Sequence, residues 1–475
     1  MLPPHLEDVV RGVAFRDPAS ARARLEELAA DSGELLALER LAPDLRVALD
    51  SSPDPDGALN NLGRYVNAAG ARWPLFQFFS VHPAALETLL YVMGASQYLA
   101  DVLVRNPEYF DLLAATESLK ARKNPEELRR ELEASCSAFR TVETRMDAVR
   151  RFRRREILRI GAADLRGLFG LEETVAELSC LADAVVVESL RIVSGAEPPC
   201  GLTVLALGKL GGEELNYSSD IDLIFVAEDE KQMEAATRVA RALTRALSEV
   251  SSEGFLYRVD LLLRPYGASG PLVVSGKRFE KYFTDEAHSA ERQAMLKARV
   301  IAGRSEWGER LLEKISCALF KDGASARRQV RELKERIEQP MRRKGREAGH
   351  IKLSPGGIRD VEFLVQALQL EHGGAMPEVR SGNTLRALAR LAGAGLVPEK
   401  ESAELREAYI FLRAAEHRLQ LMNNLQVHRL PDREEDVKRL AGTLGFQSPG
   451  EAREFRGAYE SKVSRVRSLF EKTLG

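Results

Sequence analysis

A mainly α-helical fold with one central α+β domain is what this sequence predicts, and three observations carry the prediction. Strand-like apolar runs occur only between Leu202 and Leu263. Helical apolar spacing fills the chain on both sides of them. The 475 residues also exceed what a single hydrophobic core organises, so two or three domains are expected. The division that follows is a helical domain over 1–125, a central domain over 126–325 and a helical bundle over 326–475.

Taken in order, Leu86, Leu89, Leu90 and Met93, then Leu99, Val102 and Leu103, repeat at helical intervals. The segment Pro53 to Gly57 marks a loop between helices. From Val149 to Leu165 the chain is dense in arginine, with Phe152, Ile157, Leu158 and Leu165 interleaved. One reading is an amphipathic helix whose arginines are solvated or paired with acids; the other is a surface that faces phosphate. Leu202 to Leu207, entered from Pro198, Pro199 and Gly201, suits a buried strand. Ile221 to Val226 and Leu256 to Leu263 are the second and third strand candidates. Between these two, Val239, Leu243, Leu247 and Val250 line one stripe of a helix. After about Gly323 the helical pattern resumes and runs to the C-terminus.

The composition is 44% hydrophobic and 29% charged with a formal net charge of −2, which suits a globular protein and lacks the basic excess of a nucleic-acid binder. Cys136, Cys180, Cys200 and Cys317 show neither CxxC spacing nor histidines at zinc-ligand intervals. They read as reduced thiols of a cytoplasmic protein. No signal peptide and no bilayer-length apolar run is evident.

The chemistry concentrates in GKLGGEELNYSSDIDLIF, Gly208 to Phe225. A strand runs into a glycine-rich turn, and the next strand presents Asp220 and Asp222. Residues two apart on a strand share a face, so both carboxylates project together while Ile221 and Leu223 face away. Like charges that close favour a cation between them, and hard oxygen ligands suit Mg²⁺. Gly208, Gly211 and Gly212 let the backbone approach a phosphate, with Ser218 and Ser219 as hydroxyl donors. Asp260 lies in the third strand candidate, on one face with Arg258, Leu262 and Arg264, while Val259, Leu261 and Leu263 pack inward. Three carboxylates on adjacent strands fit a two-metal phosphoryl-transfer site.

These residues resemble the signature of the glutamine synthetase adenylyltransferase/adenylyl-removing enzyme family, within the polymerase-β nucleotidyltransferase superfamily. Further blocks resemble that family in its order: Arg150 to Ile160, Arg258 to Val273, Glu291 to Arg299, Ile351 to Gly373 and Ala415 to Pro431. The resemblance implies a polymerase-β-type sheet flanked by helical domains. It implies that Asp220 and Asp222 hold Mg²⁺ and that Asp260 completes the metal site and helps activate the attacking oxygen. It implies that Gly208, Lys209, Gly211, Gly212 and Ser219 line the phosphates, with Arg258 and Arg264 beside them. Lys297 and Arg299 would lie near the nucleotide, although Arg299 equally suits a structural pair with an acid. On the helix after Pro355, Arg359, Glu362 and Gln366 share a polar face, either solvated or lining the site.

Three positions depart from the family pattern: Leu262 stands where arginine is usual, Ala290 where tryptophan is, and His350 where an acid is. The family enzyme carries two related halves, one removing AMP by phosphorolysis and one attaching it from ATP. ELNYSSDIDLIF and RPYGASGPLV look closer to the removing half. Glutamine synthetase is the implied partner, with the PII signalling protein as a further candidate and ATP, ADP and phosphate as small-molecule partners. Neither nucleic acid nor membrane is expected. Adenylylation in the attaching direction stands as one alternative, and a non-catalytic scaffold for glutamine synthetase or PII as another. A PII uridylyltransferase, which shares the GG…SDIDL site, is disfavoured because none of the seven histidines precedes an aspartate.

Overall fold

Two largely apolar segments make the central strands, β1 (Leu202–Leu207) and β2 (Ile221–Ala227, interrupted by Asp222), which pair antiparallel. The computed structural model describes residues 2–195, 201–343, 349–423, 427–446 and 450–475. The run-in through Pro198 and Pro199 and the thiol of Cys200 lie outside these residues, as do Asn424, Leu425 and Gln426. Three shorter strands complete one mixed sheet: β3 (Val259–Asp260), β4 (Val273–Ser275) and β5 (Arg299–Gly303). The order is β3-β2-β1-β5. β3 and β4 run parallel to β2 along the same edge, and β5 is antiparallel to β1.

The sheet separates two hydrophobic cores. Leu202, Val204 and Ala206 of β1 and Ile221, Leu223 and Phe225 of β2 pack with the helices that precede the sheet. Leu205, Leu207, Ile224 and Val226 face the other way, into a core built with the helices that follow it. The alternation is the strand period of two, expressed with both faces buried. Helices dominate the rest of the described chain. Pro83–Ala95 and Gln97–Arg105 bury the residues whose spacing announced them.

The arginine-rich segment lies within one long helix, Val142–Leu165, started by Thr141, whose hydroxyl oxygen accepts from the Thr144 N–H at 3.3 Å. Its arginines are largely paired. Arg159, fully buried, donates to Glu156 at 2.7 Å and Glu177 at 2.5 Å, and Arg154 donates to Glu253 at 2.5 Å. Glu173 caps the next helix, Leu171–Ser194, by accepting from the Gly170 N–H at 2.8 Å.

Several expectations need correction. The third strand is two residues long, not eight. Beyond Asp260 its carboxylate accepts from the Leu262 N–H at 2.7 Å and closes a turn, which ends the pairing. Val259 and Leu261 therefore pack on the first core, but Leu263 swings to the second. β4 and β5 escaped the sequence reading. The helix after β2, Met233–Ser248, buries Ala236, Ala240, Leu243 and Leu247, whereas Val250 lies past its end and is 74% exposed. Helix Pro55–Ala69 begins inside the expected loop, with Asp54 as its N-cap. Cys136, Cys180 and Cys317 are free thiols, and no described helix is long and apolar enough to cross a membrane.

Candidate active site

β2 places Asp222 on the sheet face shared with Ile224 and Val226, so its carboxylate points toward the helices that follow the sheet. A cleft of about 410 Å³ opens there. Gly208, Lys209, Ser219 and Asp220 form its floor with Asp222. Helix Ile358–His372 supplies Arg359, Glu362, Phe363 and Gln366 from the opposite wall. Gly208 turns the chain out of β1 with φ +55°, and a side chain there would put Cβ 2.0 Å from Asp222 Oδ2. Glycine is required on both counts.

Asp260 is the register partner of Asp222 across the parallel pair β2–β3. Burial, and then the negative charge of Asp260, push the Asp222 carboxyl up to about 6, against the opposing pull of Lys352. Asp220 sits at the rim, 37% exposed, and accepts from Arg258 Nε at 2.5 Å. The same guanidinium donates to the Ser218 carbonyl at 2.5 Å.

Three lysines face these acids. Lys209, Lys297 and Lys352 all line the cleft. Burial brings Lys209 down to about 8, with Glu416 opposing the fall from 3.6 Å away. Lys297 Nζ donates to Glu214 at 2.6 Å and Thr384 at 3.2 Å. Burial works against the charge on Glu362, but Lys297, Lys352 and Lys209 outweigh it and hold this carboxyl below its usual value. Beneath the floor lies a polar network that the sequence reading missed. Glu416 of helix Glu399–Asn423 is fully buried, accepts from Asn216 at 2.6 Å and pairs with His428 at 2.7 Å. Arg413 donates to Asn216 at 2.5 Å and to the Glu214 carbonyl at 2.7 Å. The loop between β1 and β2 is thus tied to a helix some two hundred residues later in the chain. The signal was present, since Glu416 and His428 fall within a resembling block, but one sequence does not show which loop they reach.

The remaining expected residues are placed as follows. Gly211 and Gly212 lie behind the cleft. A Cβ at Gly211 would stand 2.0 Å from the Lys297 carbonyl oxygen and 2.6 Å from that of Ala206, so the residue serves close backbone packing. Arg264 clamps its own turn, donating to the carbonyls of Leu261 at 2.7 Å and Gly270 at 3.1 Å. Arg299 makes a two-point pair with Asp183 at 2.7 and 3.0 Å and does not line the cleft. Of the two readings open for Arg299, the structure places it in the structural pair. Arg359, Glu362 and Gln366 line the cleft. Ala290 lines it too, His350 stacks on His428 at 5.7 Å, and Leu262 is 60% exposed beside Asp220 and Asp260.

Among the described residues no group of three or more acids, histidines or cysteines stands in ready metal-ligand geometry. The donor chemistry nevertheless suits a divalent cation. Asp222 and Asp260 are adjacent carboxylates whose repulsion a cation would relieve, and Asp220, held by Arg258, would be a third ligand only on releasing it. Mg²⁺ takes few protein carboxylates and fills its shell with water and phosphate oxygens, which the open cleft admits.

Adjoining carboxylates, a glycine turn packed against one of them and lysines across the cleft are the groups that the site of a nucleotidyltransferase would use. Residues 86–314 match the family model described as glutamate-ammonia ligase adenylyltransferase. Bifunctional glutamine synthetase adenylyltransferase/adenylyl-removing enzymes are similar along most of the chain. The Streptomyces coelicolor protein is 37% identical over 96% of this chain and 46% of its own length. That of Pseudomonas aeruginosa is 39% identical over 76% of this chain and 39% of its own. The chain belongs to the glutamine synthetase adenylyltransferase/adenylyl-removing enzyme family, and it spans about half the length of the curated relatives it matches. Residues 331–474 match a second family model, described as GlnD PII-uridylyltransferase. The GG…SDIDL likeness to that family falls in the catalytic segment, whereas this match lies in the C-terminal helices.

Proposed function

We propose that this chain transfers AMP on a tyrosine of glutamine synthetase, and that it works in the removing direction. The observation that carries the reading is Asp222, set in a nucleotide-sized cleft beside Asp260 and faced by Lys209. In removal, an oxygen of hydrogen phosphate attacks the phosphorus of the AMP–tyrosine diester. The bond to the tyrosine oxygen breaks, ADP leaves, and the proton of the phosphate ends on the tyrosine hydroxyl. Asp222, Asp260 and Asp220 would hold Mg²⁺, which when bound neutralises the phosphoryl oxygens. Lys209, Lys297 and Lys352 add fixed positive charge around the same oxygens. Leu333, Ile337 and Phe363 give the cleft an apolar wall suited to the adenine base. Ser219 lies within reach of the phosphates, while Gly211, Gly212, Arg264 and Arg299 support the site through packing.

The reading extends to a cytoplasmic setting and to domains divided near 125 and 325. PII as a second partner is supported by the match over 331–474. The test is incubation of the purified chain with Mg²⁺ and glutamine synthetase, adenylylated with phosphate or unmodified with ATP, read by intact mass. Loss of AMP that disappears in Asp222→Asn is the expected result. Gain of AMP from ATP reverses the direction. No change in either mixture, with PII present, replaces catalysis by a scaffold role.

A further inference from the structure

We propose that a second cavity, walled by the arginine-rich helix, binds a small tetrahedral oxyanion of the phosphate class, and that its occupant competes with Asp220 for Arg258. The cavity holds about 400 Å³ and shares Ser219 with the acidic cleft. Arg150, Arg153 and Arg154 enter it from helix Val142–Leu165, joined by Arg105 and Arg258. Only Asp101 and Glu253 bring negative charge to its lining. Glu253 is already shared, by Arg154 at 2.5 Å, Arg105 at 3.1 Å and Arg151 at 3.3 Å. Arg153 has no carboxylate partner among the described residues. Its guanidinium lies 4.5 Å from the Tyr257 ring, near the hydroxyls of Tyr98 and Tyr257, and its Nε makes no hydrogen bond.

Arg150 is paired with Asp147 at 2.9 Å and Arg258 with Asp220, which leaves Arg153 without a counter-charge, and an oxyanion supplies one in the geometry that guanidinium forks match. The tyrosine hydroxyls and Ser219 are further donors. Arg258 links the two cavities: it lines the second and is held to Asp220, which lines the first, and to the Ser218 carbonyl. An oxyanion that engages Arg258 frees the Asp220 carboxylate to turn toward a cation beside Asp222. By linkage, anion and cation then tighten each other's binding. The arginine-rich segment thus combines both readings open for it: most of its guanidiniums are paired, and Arg153 faces an anion.

Phosphate as probe rests on the phosphorolytic reading above; the site itself does not. The experiment is calorimetric titration of inorganic phosphate into the full chain without metal, followed by Mn²⁺ titration with and without phosphate. Arg153→Gln is expected to weaken phosphate binding by about tenfold, the loss of a charge-assisted hydrogen bond, and to abolish the phosphate effect on Mn²⁺. Asp222→Asn is expected to leave phosphate binding unchanged. Arg105→Gln, half-exposed at the cavity edge, weakens it less and reads the site should the Arg153 variant fail to fold. AMP binding more tightly than phosphate, with the same dependence on Arg153, identifies a nucleotide phosphate as the occupant. Absence of phosphate binding, or binding lost in Asp222→Asn and kept in Arg153→Gln, overturns the site. Phosphate binding without tighter Mn²⁺ binding overturns the competition for Arg258. Because the readout is binding, a chain that takes up phosphate yet leaves AMP in place refutes the proposed reaction and not this site.

Discussion

Replacing Asp222 with asparagine removes a carboxylate that the fold holds against its own preference. The group ordinarily titrates at 3.8 and is pushed up to about 6 by burial and by Asp260. A rise of about two units corresponds to roughly 3 kcal/mol of destabilisation once the group is ionised. Below the ordinary value both folded and unfolded chains are protonated and the penalty is absent. Between there and about 6 the unfolded chain loses its proton first, so stability falls as pH rises, and above about 6 the loss is complete. Asp222→Asn should therefore melt higher than the unmodified chain at about pH 8 and match it near pH 4. A 475-residue chain unfolds with an entropy near 1 kcal/mol/K, so the expected gain is about 3 °C. Differential scanning calorimetry in chelator measures it. Added Mg²⁺ should raise the melting temperature of the unmodified chain and leave the variant where it is. A variant that melts lower at about pH 8, or a difference that stays constant down to pH 4, refutes the account of a strained carboxylate awaiting a cation.

Mn²⁺ affinity, followed by electron paramagnetic resonance, should drop about tenfold per pH unit below about 6 and level off above it, because a single carboxylate must ionise. Glu416→Leu strips the acid from between Lys209, Arg413 and His428 and should cost about 3–5 kcal/mol in urea unfolding, whereas Glu416→Gln costs less. Gly211→Ala drives a methyl into the carbonyls of Lys297 and Ala206, and a loss of about 3 kcal/mol by the same measurement is expected.

The acidic strand was legible because its information is local. A period of two puts Asp222 on one face and Ile221 and Leu223 on the other, and the structure keeps that order. The adjacency of Asp222 and Asp260 followed from two strands in sequence, although it rests on a pairing of only two residues. Lys352 and the buried Glu416 network were not legible, because tertiary packing alone brings residues distant in sequence to the cleft and sets helix Glu399–Asn423 beneath a loop two hundred residues away. The glycines illustrate a further limit. The pattern marks positions where no side chain fits, but it does not say whether a phosphate or a neighbouring carbonyl fills the space. Arg264 was expected at phosphate, and Arg299 either at the nucleotide or in a pair with an acid; the geometry spends the first on backbone carbonyls and the second on Asp183.

The sheet that divides two cores makes the chain resistant to dissection. Cutting away the helices after β5 would bare Leu205, Leu207, Ile224 and Val226, and cutting away those before β1 would bare the opposite face. Either fragment would carry a sticky, strand-shaped apolar wall into solution and precipitate or misassociate. Protein engineers wishing to graft this chemistry onto another scaffold must therefore carry the flanking helices with the acids, and proteolytic mapping should yield one large resistant body rather than a removable catalytic module.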